Sequence, residues 1–441
     1  MDVLIKILQL LLSLSILVIF HEMGHFIAAK IFKTRVEKFY LFFNPWFSIF
    51  KFKYKGTEYG MGWLPLGGYV KISGMIDESM DKEQMRKPPK PYEFRSKPAW
   101  QRLIIMLGGV TVNVLLAMAI YIAMLFNWGE QYLPTSEANK YGISVDTLAY
   151  EMGLREGDQI TRVNNEYVED FNKIPVKIIL DEAKNLQVIR KDTDTVINIP
   201  KGFLSKLIKH PNPHFLSVRF PYEVGDFTEH STARQAGIKK DDRVIALNGE
   251  PMHYFHEYIN KIPQFTNDTI SLTVIRNNDT LVFPVSVPPG GKIGVFPKSL
   301  DNYFEFREKN YNLVEAIPAG IVKAFNGIGS YLKQLRLIFS PEVRAYESVG
   351  GFITIGSIFP SQWNWQQFWT LTAFLSIMLA ILNVLPIPAL DGGHVMFLCY
   401  EMIAGRKPNE KFMEYAQIIG MILLFALLIF ANGNDILKLF R

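Results

Sequence analysis

Cysteine is almost absent: Cys399 stands alone in 441 residues. That excludes an intramolecular disulfide framework and a thiolate-rich metal site, so a transition-metal centre here must be built from histidines and carboxylates. Charge is scarce as well. Asp, Glu, Lys and Arg make up 20% of the chain against 49% hydrophobic residues, an oily balance for a soluble protein of this size. The 47 basic and 42 acidic residues leave a net charge of +5, too mild and dispersed for a nucleic-acid partner. Residues 345–390 contain no lysine or arginine at all.

What the chain has in quantity is long apolar runs. Residues 4–32, 103–125, 368–390 and 412–431 are each close to or above the roughly 20 residues that cross a bilayer as a helix. Four transmembrane helices are expected. The first run follows Met1-Asp2-Val3 without a basic n-region, and no clear small-residue cleavage site comes after it, so it reads as a retained span and not as a signal peptide. Residues 33–99 hold 13 lysines and arginines against 7 acids, which makes the first loop cytoplasmic by the positive-inside rule. Both termini and the long segment 127–367 then lie outside the cytoplasm. The short loop with Arg406, Lys407 and Lys411 lies inside.

The long segment repeats itself. Gly153, Asp158 and Asn164 recur as Gly237, Asp242 and Asn248, 84 residues on, and Ala149 and Ala233 fall in the same register. Each copy reads as a short helix, a glycine turn, a strand, and an Asn-Asn or Asn-Gly hairpin turn. The pattern resembles PDZ domains, which bind extended peptides at a sheet edge; a spacer or steric-filter role is the alternative to peptide capture. Elsewhere, Phe50-Lys51-Phe52-Lys53-Tyr54-Lys55 alternates, Gly56-Thr57 turns, and a glycine-rich apolar return runs to Val70. A hairpin dipping into the inner leaflet is expected. Ile317, Ile321, Phe325, Ile328, Leu332, Leu335 and Phe339 recur at steps of three and four, the mark of an amphipathic helix lying on the outer surface or packing on a PDZ-like domain.

The chemistry is concentrated in His21-Glu22-Met23-Gly24-His25. On a helix, residues four apart share a face, so His21 and His25 can both give a ring nitrogen to one Zn²⁺ while Glu22 reaches a water beside it as general base. The bland reading has both histidines snorkelling from a helix end, but ionisable groups within a span carry function by default. At 1.5 Å per residue His21 lies roughly 25 Å beyond Leu4, inside the bilayer and toward its cytoplasmic side. A catalytic zinc takes three protein ligands. Asp391, in the run from Asn383 through Pro386 and Pro388 to Gly392-Gly393-His394, is the best third, because spans one and three end on the same side of the membrane. Its alternative is a plain cytoplasmic turn. His394 has a supporting role beside Asp391 within reach. His253 and His256 lack zincin spacing, and His210 and His214 read as loop residues.

These motifs together resemble the site-2 protease family, in its tandem-PDZ branch, over essentially the whole chain. The resemblance implies Zn²⁺ held by His21, His25 and Asp391, Glu22 as catalytic base, and substrate contacts from Asn383, from Gly67, Gly68 and Tyr69 of the hairpin, and from Asn113 of the second-span Gly109-Val110-Thr111-Val112-Asn113 element. It also implies single-span membrane substrates, anti-sigma factors or remnant signal peptides, in a bacterial inner membrane. One departure stands out: Gly350-Gly351-Phe352-Ile353 replaces the Gly-Pro-Ile-Gly usual in relatives. The expected architecture is a membrane α-helical protein of four transmembrane helices, with an inserted membrane-associated β-hairpin and two extracytoplasmic PDZ-like α+β domains. It divides as 1–126 (spans one and two with the hairpin), 127–215 and 216–292 (PDZ-like), 293–365 (connector) and 366–441 (spans three and four). The rival readings are a catalytically idle PDZ scaffold or chaperone and a zinc-dependent transporter.

Overall fold

The computed structural model describes residues 2–75, 88–209, 215–338 and 350–439; His210, His214 and Phe339 lie outside them. The chain divides into two compact bodies. One is built from Met1–Gly129, Asn310–Leu335 and Tyr346–Arg441, and the other contains Glu130–Lys309.

The first body is helical. Four of its helices are long and apolar enough to cross a membrane: α1 (Asp2–Ile31), α2 (Ala99–Trp128), α5 (Trp365–Val384) and α7 (Glu410–Leu439). Between them in sequence lie α3 (Leu313–Ile338), α4 (Phe352–Ser357) and α6 (Asp391–Ala404). Helix α2 packs against both α1 and α5. Its crossing with α1 is backbone to backbone, since a β-carbon on Gly24 would lie 2.2 Å from the Gly108 carbonyl oxygen. Small residues at such crossings let apolar helices approach closely.

Three features go beyond the sequence expectation, and the first corrects it. The third span ends at Val384, short of 390, because Pro386 and Pro388 lack the N–H that would continue the helix; Asp391 then opens the separate helix α6. Helix α3 turns a small-residue face to the spans: Gly320 meets Ile122, and Ala324 and Tyr331 cluster with Tyr121 and Ile377. Of the expected stripe, Ile317, Phe325 and Leu332 are exposed, while Ile328 and Leu335 pack against that same cluster. The departing segment Gly350-Gly351 leads into α4, whose first backbone N–H groups are accepted by Asp435 and Asn432 of α7.

The hairpin is longer than its alternating core. Strands β1 (Val36–Tyr54) and β2 (Thr57–Ile72) form a kinked sheet in which Tyr40 pairs with Tyr69 on one side and Gly60 on the other. Positive φ at Phe42 (64°) and Trp46 (72°) bends β1 so that both its halves pair with residues 58–61 of β2, while the first half pairs also with 68–72. Residues 68–72 and 48–54 are left as the two edges.

The inserted body shows the repeat as matched interactions. Asp158 and Asp242, both buried, each receive a forked pair of hydrogen bonds, from Arg190 at 2.8 and 2.7 Å and from Arg276 at 2.7 and 2.6 Å. Both strands carry a register shift at the same place, 160/162 and 244/246. Sheet pairing crosses the boundaries that the repeat period sets. Leu216–Val218 pairs back to Ile143–Val145, and Val295–Pro297 pairs back to Val224–Phe227, so the first unit extends past 215 and the second past 292. His256 of the second unit reaches Glu156 of the first at 3.0 Å. Arg307–Lys309 pairs with Glu130–Tyr132, which brings the two ends of the insertion together.

The clamps give the first test. Asp242→Ala leaves Arg276 without its forked acceptor and should cost about 2–3 kcal/mol, the range for hydrogen bonds to a charged group. Hydrogen exchange on the full chain in detergent should show the loss in residues 224–297 while the Asp158 unit keeps its protection.

Candidate metal centre

His21 and His25 occupy one face of α1, both buried. The broken end of α5 brings Asp391 opposite them, in the first turn of α6, where an anionic side chain suits the helix dipole. Asp391 Oδ2 lies 3.2 Å from His21 Nε2 and 3.2 Å from His25 Nε2, and the two Nε2 atoms are 3.3 Å apart. Among the described residues this is the one group of three histidines and carboxylates placed to hold a metal ion.

The donor chemistry fits a divalent cation. His25 Nδ1–H donates to the Ile105 carbonyl at 2.9 Å, and a carbonyl accepts only, so in the neutral ring Nε2 carries the lone pair. Asn113 Nδ2 lies 3.2 Å from His21 Nδ1, and its Oδ1 is buried without a partner; turning the amide over, which exchanges two near-equivalent atoms, sets Oδ1 on Nδ1–H and gives the same tautomer. Two lone pairs then face Asp391 Oδ2, a buried oxygen with no other hydrogen-bond partner. A triangle with these sides has its centre about 1.9 Å from each corner, close to zinc–nitrogen and zinc–oxygen bond lengths.

Glycine makes the room. A β-carbon on Gly109 would sit 2.5 Å from His25 Nε2 and 2.6 Å from His21 Cε1, so any other residue there would push the rings off their positions.

A cavity of about 390 Å³ opens onto the triad, with Glu22, Gly68, Tyr69 and His394 in its wall. The Glu22 carboxylate lies beside the Val70 backbone N–H, and both residues line the cavity. A β-carbon on Gly68 would meet Val18 at 2.6 Å and the Tyr40 carbonyl oxygen at 2.7 Å, so glycine is what lets the 68–72 edge lie against α1. Gly67 has φ 143° and packs on Phe43; Tyr69 stacks on Tyr40 and donates to Asn44. Asn383 comes within 3.4 Å of His21 Nε2. Asn113 is fully buried behind His21 and does not line the cavity. His253 and His256 lie in the inserted body, outside this group.

Sequence reasoning missed the long helix α6 and the Arg102–Glu401 ion pair that ties it to α2. The signal was there, in the apolar stretch after Asp391 with one acid inside it.

Two histidines and a glutamate on a span, faced by a carboxylate from a broken span, define a membrane-embedded metallopeptidase. The profile of peptidase family M50 matches residues 9–427, and the chain belongs to that family. It is similar to a protein of Campylobacter jejuni whose name places it among zinc metalloproteases, 28% identical over 450 residues, 99% of this chain and 94% of that one. It is also similar to the regulator of sigma E protease of Haemophilus influenzae, 26% identical over 449 residues, and to regulator of sigma-E protease RseP of Escherichia coli, 25% identical over 452, each covering 97% of this chain and 98% of the relative. The protein is thus an integral membrane zinc metalloendopeptidase of the site-2 type.

Asn113 supplies the second test. Asn113→Leu should weaken zinc binding about 10- to 100-fold, the usual cost of losing a partner behind a ligand, measured by competition with a chromogenic chelator; Asn113→Asp, which keeps an acceptor for Nδ1–H, should recover most of it.

Proposed function

We propose that this chain cuts a peptide bond within the membrane-spanning segment of single-span membrane proteins, with zinc held by His21, His25 and Asp391 and with Glu22 as the base. The observation that carries the reading is the convergence of two Nε2 atoms and an otherwise unpartnered carboxylate oxygen beside Glu22. Zinc, when bound there, supplies Lewis acidity toward a carbonyl and lowers the pKa of water.

Glu22 takes a proton from the attacking water and passes it to the leaving amine. A helical substrate hides its carbonyls in internal hydrogen bonds, so it must unwind before attack. The 68–72 edge, with Gly67, Gly68 and Tyr69, receives the unwound backbone as an added strand. Asn383, beside His21 Nε2, holds a substrate carbonyl. Asn113 acts through His21 and not on substrate, and His394 supports Asp391 from the next turn.

The substrates we infer are those that the resemblance to the tandem-PDZ site-2 proteases implies: an anti-sigma factor already trimmed outside, or a remnant signal peptide, in a bacterial inner membrane. Both termini and the two PDZ-like units lie outside the cytoplasm on this reading, and the units filter out bulky outer domains. An idle scaffold is the competing reading, and it gives no reason for a base beside three metal donors.

The test is reconstitution in vesicles with a helical single-span substrate. Glu22→Gln should keep zinc and lose cleavage by a factor on the order of 10²–10⁴. Equal cleavage by wild type and variant sinks the proposal, and cleavage that survives chelation removes the metal from it.

A further inference from the structure

A second cavity of about 270 Å³ adjoins the metal cavity. Met75, His394 and Gln417 border both, so the two spaces share a wall. The inner lining of the second is apolar, from Phe94, Leu398 and Met413. Of its charged groups, Arg102 is paired with Glu401 and Arg95 with Glu93, both arginines being partly or largely buried, while Lys407 stands exposed at the rim and donates to the Arg95 carbonyl, so the inner wall offers a charge no partner.

The edge strand ends beside it. Glu22 and Val70 line the metal cavity together, which marks the level of the reacting bond, and past Ile72 the chain turns, the Met75 N–H donating to the Ile72 carbonyl, so that Gly74 and Met75 stand in the wall of the second cavity in the path of a peptide that runs on extended. A strand advances about 3.3 Å per residue, so three or four residues cover roughly 10–13 Å. A peptide laid along 68–72 with its scissile carbonyl at Glu22 would deliver a side chain to this cavity at that distance. An apolar wall beside an already matched ion pair favours an uncharged side chain, because a charge would lose its water without gaining a free partner.

The geometry points to a specificity subsite: this cavity takes one large apolar side chain of the substrate, such as Leu, Met or Phe, three or four residues from the cut bond. The side is the one toward the loop that carries Lys407, which also borders the cavity. The inference rests on the proteolytic reading above and adds to it a sequence requirement near the cut.

Single-span substrates that differ only in one residue, Ala or Phe, at each of positions one to six from the cut bond test it in vesicles of phosphatidylethanolamine and phosphatidylglycerol. Wild type should favour Phe over Ala in kcat/KM by about tenfold or more at position three or four, the discrimination one apolar pocket provides. Met413→Trp, which fills the cavity, should bring that ratio near one. Met413→Ala, which enlarges it, should move the optimum from Phe to Trp, and this arm decides if the tryptophan variant does not fold. A flat profile from an active wild type overturns the subsite alone, as does a preference that both variants leave unchanged. Failure of zinc-loaded wild type to cut any substrate overturns the proteolytic reading and the subsite with it.

Discussion

Two imidazole lone pairs and a carboxylate oxygen converge within an apolar bundle, and such a group calls for a positive charge among them, because burial leaves little water to screen it. Much of the surrounding structure keeps the three atoms in place. The Ile105 carbonyl fixes one ring and the Asn113 amide the other. Gly109 leaves the volume the rings occupy, and the Gly24–Gly108 crossing sets α1 and α2 close enough for those partners to reach. Asp391 is held from further away: it starts α6, and Glu401 on that helix is anchored to Arg102 of α2. The donors therefore come from one span and from a helix whose far end is tied to a second span.

The sequence disclosed this centre more readily than it disclosed the scaffold. His21 and His25 are legible because four-residue spacing on a helix is a geometric statement about one face. Asp391 is legible because an even number of membrane crossings forces the ends of spans one and three to the same side, and because Pro386 and Pro388 announce a broken helix. The small-residue face that α3 turns to the spans was not foreseen, for a physical reason. Next to lipid the largest apolar side chains gain nothing by turning inward, so Gly320, Ala324 and Gly327 face the spans while Phe325 and Leu332 are left outside. The unit boundaries were misplaced because a repeat period records local similarity, whereas Leu216–Val218 and Val295–Pro297 complete their sheets by pairing far back along the chain.

The sheet of β1 and β2 was only half visible for a related reason. Alternation at 50–55 signals one two-sided ladder, but the aromatic run from Phe39 to Phe50 contains no period, because the chain there is bent at Phe42 and Trp46 and pairs with two segments of β2. The bend leaves Trp46, Phe47 and Ile49 exposed beyond the ladder, with Trp46 stacked on Trp63. Aromatic side chains of this kind suit the polar–apolar boundary of a bilayer, so the same irregularity that hid the strand from sequence gives the sheet an apolar tip.

The placing of Glu22 beside Val70 has a consequence for register on the proposed mechanism. In a strand, alternate residues direct their backbone groups to the same edge. If the Val70 N–H faces outward to Glu22, the outward groups of the same edge are those of Gly68 and Ile72. A peptide added to this edge finds the place at Val70 already taken by the base, and makes its ladder bonds on either side of it. The peptide group opposite Val70 is then the one brought to Glu22 and the metal donors. Pairing and choice of bond become one event: a segment that cannot unwind enough to bond at both Gly68 and Ile72 does not present a carbonyl at the centre, whatever its sequence. Gly68 is the residue on which this depends most, since a side chain there would lift the edge from Val18 and carry Val70 away from Glu22.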